Sequence, residues 1–154
     1  MKRITVLLAD DNRVMRGAIR TILEVEDDLE VVGEAEDGLE AVAMVKKLHP
    51  ALVLMDVNMP VLNGLQATRQ ILEKIPLLRT QSRPTAAKVL ILSAYSDEAY
   101  VIEAVNSGAM GYLIKQTSAS NVCTAIREIH NGNTFFSPYI SKHLYKWIRK
   151  KQKD

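Results

Sequence analysis

Five times along this chain, a short apolar run rich in β-branched residues gives way to a longer segment with apolar residues at helical spacing. The short runs are 4–9, 30–35, 51–55, 88–93 and 110–114; Asp10 ends the first, and Pro50 and Asp56 flank the third, as turn residues flank strands. The segments between them predict helices over 13–25, 39–48 and 65–75. In the first, Val14, Ala18, Ile22 and Val25 share a face. His49-Pro50 closes the second helix and Pro76 stops the third. A fourth helix opens at Asp97-Glu98 and ends near Gly108, a plausible left-handed cap. Ser118 caps a fifth, whose Val122, Ala125, Ile126 and Ile129 lie together, and Asn131-Gly132 ends it. Apolar, β-branched strands alternating with helices predict a doubly wound α/β fold: a five-stranded parallel sheet covered on both faces.

The 154 residues suit one such sheet with one domain's core, and 47% hydrophobic with 25% charged residues is a soluble globular balance. No apolar run approaches the roughly 20 residues that span a bilayer, so membrane insertion is not expected. Met1-Lys2-Arg3 passes straight into the first strand without a signal-peptide pattern, and Cys123 has no second cysteine to pair with. The expected location is cytoplasmic.

The net charge of +2 hides an asymmetry. From residue 142 onward six bases face one acid, giving +5 and leaving −3 for the remainder. A mildly acidic body is not the profile of a dedicated nucleic-acid binder, although a basic segment can steer contacts with phosphates or acidic partners.

In an open parallel sheet, ligands bind beyond the carboxyl ends of the strands. Asp10 and Asp11 follow the first strand, Asp56 the third, Ser93 ends the fourth and Lys115 follows the fifth. Any one alone reads as a turn or cap residue. Three acids, a hydroxyl and a lysine at one edge read as a site. Converging carboxylates repel and call for a counter-ion, for which a hard, oxygen-seeking divalent ion such as Mg²⁺ (or Mn²⁺) is suited. A carboxylate can also attack phosphorus to form an aspartyl phosphate, with Lys115 and Ser93 neutralising and donating to the phosphoryl oxygens.

These residues stand in segments that resemble a known family. The stretch 56–64, Asp-Val-Asn-Met-Pro-Val-Leu-Asn-Gly, is similar to the phosphoacceptor loop of bacterial two-component response regulator receiver domains. Asp10-Asp11, Leu92-Ser93-Ala94 and the run 108–115 match the same family in order and spacing. The resemblance implies a flavodoxin-like sheet of order 2-1-3-4-5. It implies that Asp56 accepts a phosphoryl group from a sensor histidine kinase or phosphotransfer protein. It implies that Asp10, Asp11, Asp56 and the backbone carbonyl of Asn58 hold the metal ion, and that Ser93 and Lys115 bind the phosphate. Tyr112 is then a switch residue expected to turn inward when Ser93 moves, or an ordinary strand tyrosine. Asn58 and Tyr95 stand where they would tune dephosphorylation, or serve turn chemistry and surface packing.

Departures from the pattern bear on output. The connection over 76–87 is long and basic, with Arg79 and Arg83, and reads as a tolerated insertion or a partner contact. After a receiver domain over 1–130, the segment 131–154 resembles the start of the linker in the NarL/FixJ-type branch. Only 17 residues follow Ser137, too few for a helix-turn-helix domain. Ser137-Pro138 instead opens a short basic amphipathic helix carrying Ile140, Leu144, Trp147 and Ile148. Three readings stay open for it: docking on its own receiver or a dimer mate, a truncated interdomain linker, and contact with a membrane surface or nucleic acid.

The expected function is a stand-alone switch that phosphorylates and dephosphorylates itself, not an enzyme with a separate substrate, with homodimerisation possible. One alternative is the receiver half of a DNA-binding regulator, with DNA a partner only through a domain absent from this chain. Another is an aspartate-nucleophile phosphatase, disfavoured because Asp10-Asp11-Asn12 lacks that class's Asp-x-Asp spacing. A third is a receiver-like binding module that takes no phosphate, against which the full acid, serine and lysine set argues.

Overall fold

In the computed structural model, residues 2–77 and 87–153 are described. The elements are β1 (Ile4–Ala9), α1 (Arg13–Glu24), β2 (Leu29–Ala35), α2 (Gly38–Leu48), β3 (Leu52–Met55), α3 (Gly64–Leu77), β4 (Lys88–Ser93), α4 (Glu98–Asn106), β5 (Gly111–Ile114), α5 (Ala119–His130), β6 (Phe135–Phe136) and α6 (Pro138–Lys153). All pair parallel, in the order β2-β1-β3-β4-β5-β6. The expected flavodoxin-like arrangement is therefore present, with one strand more than the five expected.

The additional strand has a backbone cause. The outer edge of β5 would leave N–H and C=O groups unpaired. Phe135 N–H donates to Met110 O at 3.1 Å and Ser137 N–H to Tyr112 O at 3.0 Å, closing that edge. Gly111 permits the approach, since a Cβ there would meet Phe135 O at 2.5 Å. Two residues are too few to show a strand period, so the sequence pattern could not reveal them.

Each face of the sheet has its own core. On one side α1 and α5 pack Ile19, Leu23, Val122, Ala125, Ile126 and Ile129 over Val6, Leu8 and Leu54. On the other, α2, α3 and α4 cover Leu7, Val53, Met55 and Ile91, and Ile140 of α6 joins this layer fully buried. Leu144 and Trp147 pack beside it, half-buried. The C-terminal helix thus docks on its own chain, against α4.

Two helices differ from expectation. Helix α1 does not bury the row Val14, Ala18, Ile22 and Val25; Val14 and Val25 are exposed and Ile22 is half-buried. It buries Arg16, Ile19 and Leu23 instead. The larger side chains of Ile19 and Leu23 fill the core better, and the same rotation lets Arg16 reach acceptors at the end of β2. An apolar-only pattern cannot score a buried arginine. Helix α3 runs through Pro76 to Leu77, because proline's fixed φ is helix-compatible and its loss is a single backbone bond at the last turn. The stretch of the basic connection that carries Arg79 and Arg83 lies outside the described residues. Among the described residues, no helix is long and apolar enough to cross a membrane.

Candidate active site

The site forms where β1, β3, β4 and β5 end together. Asp56 sits one residue past β3, and its backbone N–H donates to Ala9 O at 2.8 Å, so β1 sets its height. The following loop folds back tightly: Gly64 N–H donates to Val57 O at 2.8 Å, and a Cβ on Gly64 would lie 1.9 Å from Asp56 O. Only glycine fits beneath the acid. Asp10 is held by Asn12, whose N–H donates to Asp10 Oδ1 at 2.8 Å while its own side chain caps α1.

Asp10, Asp11 and Asp56 each offer a carboxylate oxygen, all within 4.8 Å of one another. Asp10 and Asp56 are buried, whereas Asp11 is exposed at the mouth. Lys115 Nζ bridges the buried pair, 3.2 Å from Asp10 Oδ2 and 3.3 Å from Asp56 Oδ1. Burial, reinforced by the Asp10 charge, pushes Asp56 up to about 6, against the opposing pull of Lys115 and the Asn58 backbone N–H. Burial works against the Lys115 ammonium, but Asp56 and Asp10 outweigh it and hold the lysine above its ordinary value. One cation therefore serves two buried anions plus a third nearby, and the cluster is short of positive charge. Hard oxygen donors lacking a counter-charge are a fitting set for a divalent cation.

Ser93, Tyr95 and Tyr112 are linked to one another by hydrogen bonds. Ser93 is fully buried at the end of β4, and its hydroxyl accepts from Tyr95 N–H at 3.0 Å. Tyr112 is already inside, with no exposed surface, and its phenol donates to Tyr95 O at 2.5 Å. Burial raises its phenol above the ordinary value, opposed by a hydrogen bond with Ser93. Tyr95 is partly exposed and stacks on Tyr100 with centroids 5.3 Å apart. Asn58 is exposed, two residues past Asp56.

Sequence reasoning missed Arg16. It is buried beneath the acid pair, with Nη1 donating to the Asp10 carbonyl at 2.7 Å and Nε to Glu34 at 2.9 Å. The available signal was a basic residue in the first turn of the helix, three and seven residues before Ile19 and Leu23 and so on their face.

The family model for the response regulator receiver domain matches residues 6–127. The chain belongs to that family.

This receiver domain is 35% identical over 148 residues to the transcriptional regulatory protein DegU of Brevibacillus brevis, covering 96% of the chain and 59% of DegU. It is 34% identical to LnrK of Bacillus subtilis, covering 97% of the chain and 64% of that protein. The receiver thus spans about three fifths of the length of these relatives. A LuxR-family two-component response regulator from Aurantimonas superposes with a TM-score of 0.83 at 28% identity, over 94% of this chain and 97% of that one. The response regulator domain of Thermotoga maritima CheB gives 0.74 at 33% identity, over 86% and 99%. The likeness extends to the NarL receiver domain of Mycobacterium tuberculosis, with a TM-score of 0.78 at 26% identity, over 86% and 100%.

Proposed function

We propose that this receiver takes a phosphoryl group from a histidine kinase or phosphotransfer protein onto Asp56 and signals by a change of conformation. The observation that carries the reading is Lys115 Nζ bridging Asp10 and Asp56 at 3.2 and 3.3 Å in a cluster of three acids. A phosphoryl group is an anion that needs both an oxygen nucleophile and preset positive charge.

Asp10, Asp11, Asp56 and the Asn58 carbonyl would hold Mg²⁺, which when bound supplies charge neutralisation for acids and phosphate alike. An Asp56 oxygen forms the bond to phosphorus as the bond from phosphorus to the donor nitrogen breaks, and the leaving imidazole takes up a proton. Lys115 then exchanges an acid oxygen for a phosphoryl oxygen, and the Ser93 hydroxyl donates to another. Drawing Ser93 towards the phosphate pulls on Tyr95 N–H, and through the Tyr95 carbonyl on the phenol of Tyr112. Because Tyr112 is already buried, the signal is a change in this hydrogen-bonded chain rather than entry of the ring. Asn58 and Tyr95, at the mouth, screen or admit the water that ends the state. The receiver would act as a switch rather than on a turnover substrate, with DNA a target only through a further domain such as its transcriptional relatives suggest. Val14 on α1 and Val25 just past its end are exposed, which supports pairing of two copies.

Incubation with Mg²⁺ and acetyl phosphate followed by intact mass measurement tests this. One added phosphoryl group is expected, absent in Asp56→Asn and after chelation. A wild-type protein that gains no mass would overturn the reading.

A further inference from the structure

Arg16 joins an ion pair to the backbone of the acid pair. The residue is buried, and Glu34, 2.9 Å from Nε, balances its charge but takes only one of the five guanidinium donors. Glu36 adds a longer contact at 3.5 Å. Nη1 directs a donor to the Asp10 carbonyl at 2.7 Å, in a buried bond. That carbonyl belongs to the peptide joining Asp10 to Asp11. A peptide group is planar and rigid, so holding its oxygen fixes the Cα atoms on both sides and the directions in which the two carboxylates leave. The bond from Asn12 N–H to Asp10 Oδ1 then sets the first side chain on this fixed base. Glu34 gives its other oxygen to Arg20 at 2.5 Å, so the two arginines have separate acceptor atoms and only Arg16 reaches Asp10.

We propose that Arg16 is a positioning residue that presets the Asp10–Asp11 pair for a divalent cation. The inference rests on the Mg²⁺-dependent reading of the site. Removing an outer partner of a metal ligand typically weakens metal binding about 10–100-fold. Arg16→Met should therefore weaken Mg²⁺ binding at least about tenfold, followed by titrating backbone amide shifts of Asp11, Asn12 and Lys115. Arg20→Met is the control, because it breaks an ion pair to the same Glu34 without touching Asp10, and it should bind Mg²⁺ as wild type does. Should Arg16→Met not fold, Arg16→Gln carries the same expectation, being too short to reach Glu34 and the Asp10 carbonyl together. Wild-type affinity in the Arg16 variant, or an equal loss in Arg20→Met, overturns the inference and leaves the site reading intact. A wild-type protein that takes up no Mg²⁺ overturns both.

Discussion

Lys115 Nζ stands 3.3 Å from Asp56 Oδ1, and the pairing fails to keep this carboxylate in its ordinary range. Burial and the neighbouring Asp10 charge oppose the ion pair, and together they win. The acid that is read as the phosphoacceptor is thus held in a state that favours added positive charge. The same desolvation that destabilises its free anion exposes its oxygens to few competing water molecules.

A stability profile follows, with a definite sign. The folded value of about 6 lies above the ordinary 3.8, so the contribution of Asp56 is fully present below about pH 3.8 and is lost as pH rises through about 6. In metal-free protein, Asp56→Asn should be the more stable form at pH 7.5, by on the order of 3 kcal/mol, with the advantage vanishing near pH 4. Urea unfolding of both forms with chelator, across this range, checks it. A pH-independent difference would count against the repelled-anion account.

Gly64 should tolerate no side chain. A Cβ there would sit 1.9 Å from Asp56 O and 2.8 Å from its carbonyl carbon, both backbone atoms. Gly64→Ala should destabilise by about 3 kcal/mol and depress phosphoryl uptake by displacing the end of β3. Gly17→Ala is the contrast, since nothing lies within 4 Å of its added Cβ and the position is helical. It should stabilise by about 0.5–1 kcal/mol. Equal effects from the two substitutions in thermal unfolding would refute the packing argument.

Ser137 ties the C-terminal helix to the strand that delivers Lys115. Its buried hydroxyl accepts from Ile114 N–H at 2.9 Å, and its own N–H donates to Tyr112 O at 3.0 Å. Ser137→Ala leaves a partly buried N–H without its acceptor, a loss of about 1–3 kcal/mol. Amide exchange should quicken at Ile114 and through the first turn of α6 more than in β1. Uniform change across the sheet would show that the bond has no local role.

Val61 is in the left-handed region at φ 69° and is 75% exposed. A β-branched residue is strained there, and its exposed side chain recovers little by packing. Val61→Gly should stabilise by about 1 kcal/mol. A lowered midpoint in denaturant unfolding would mean that the side chain makes a contribution that its exposure hides.

Much of this molecule was legible in the residues alone. Lys88–Ser93 is a strand with the bounds its apolar run predicts, and Ser118 opens and His49 ends a helix where capping chemistry places them. Asp10, Asp56, Ser93 and Lys115 were found because parallel strands deliver their following residues to one edge. Local rules carry that far, since strand length, capping and sheet polarity depend on near neighbours in the chain.

What the tertiary structure alone decided depends on contacts between distant segments. It chose the face of α1, burying Ile19 and Leu23 rather than Val14 and Val25, and thereby placed Arg16 under Asp10. It added β6 to an open edge of β5, where Gly111 leaves room for Phe135. It set the Asp56 carboxyl near 6 by weighing burial and Asp10 against Lys115. The sequence by itself determined which groups meet at the sheet edge. Their charge state and orientation were settled only by the desolvation and close packing that the assembled layers impose.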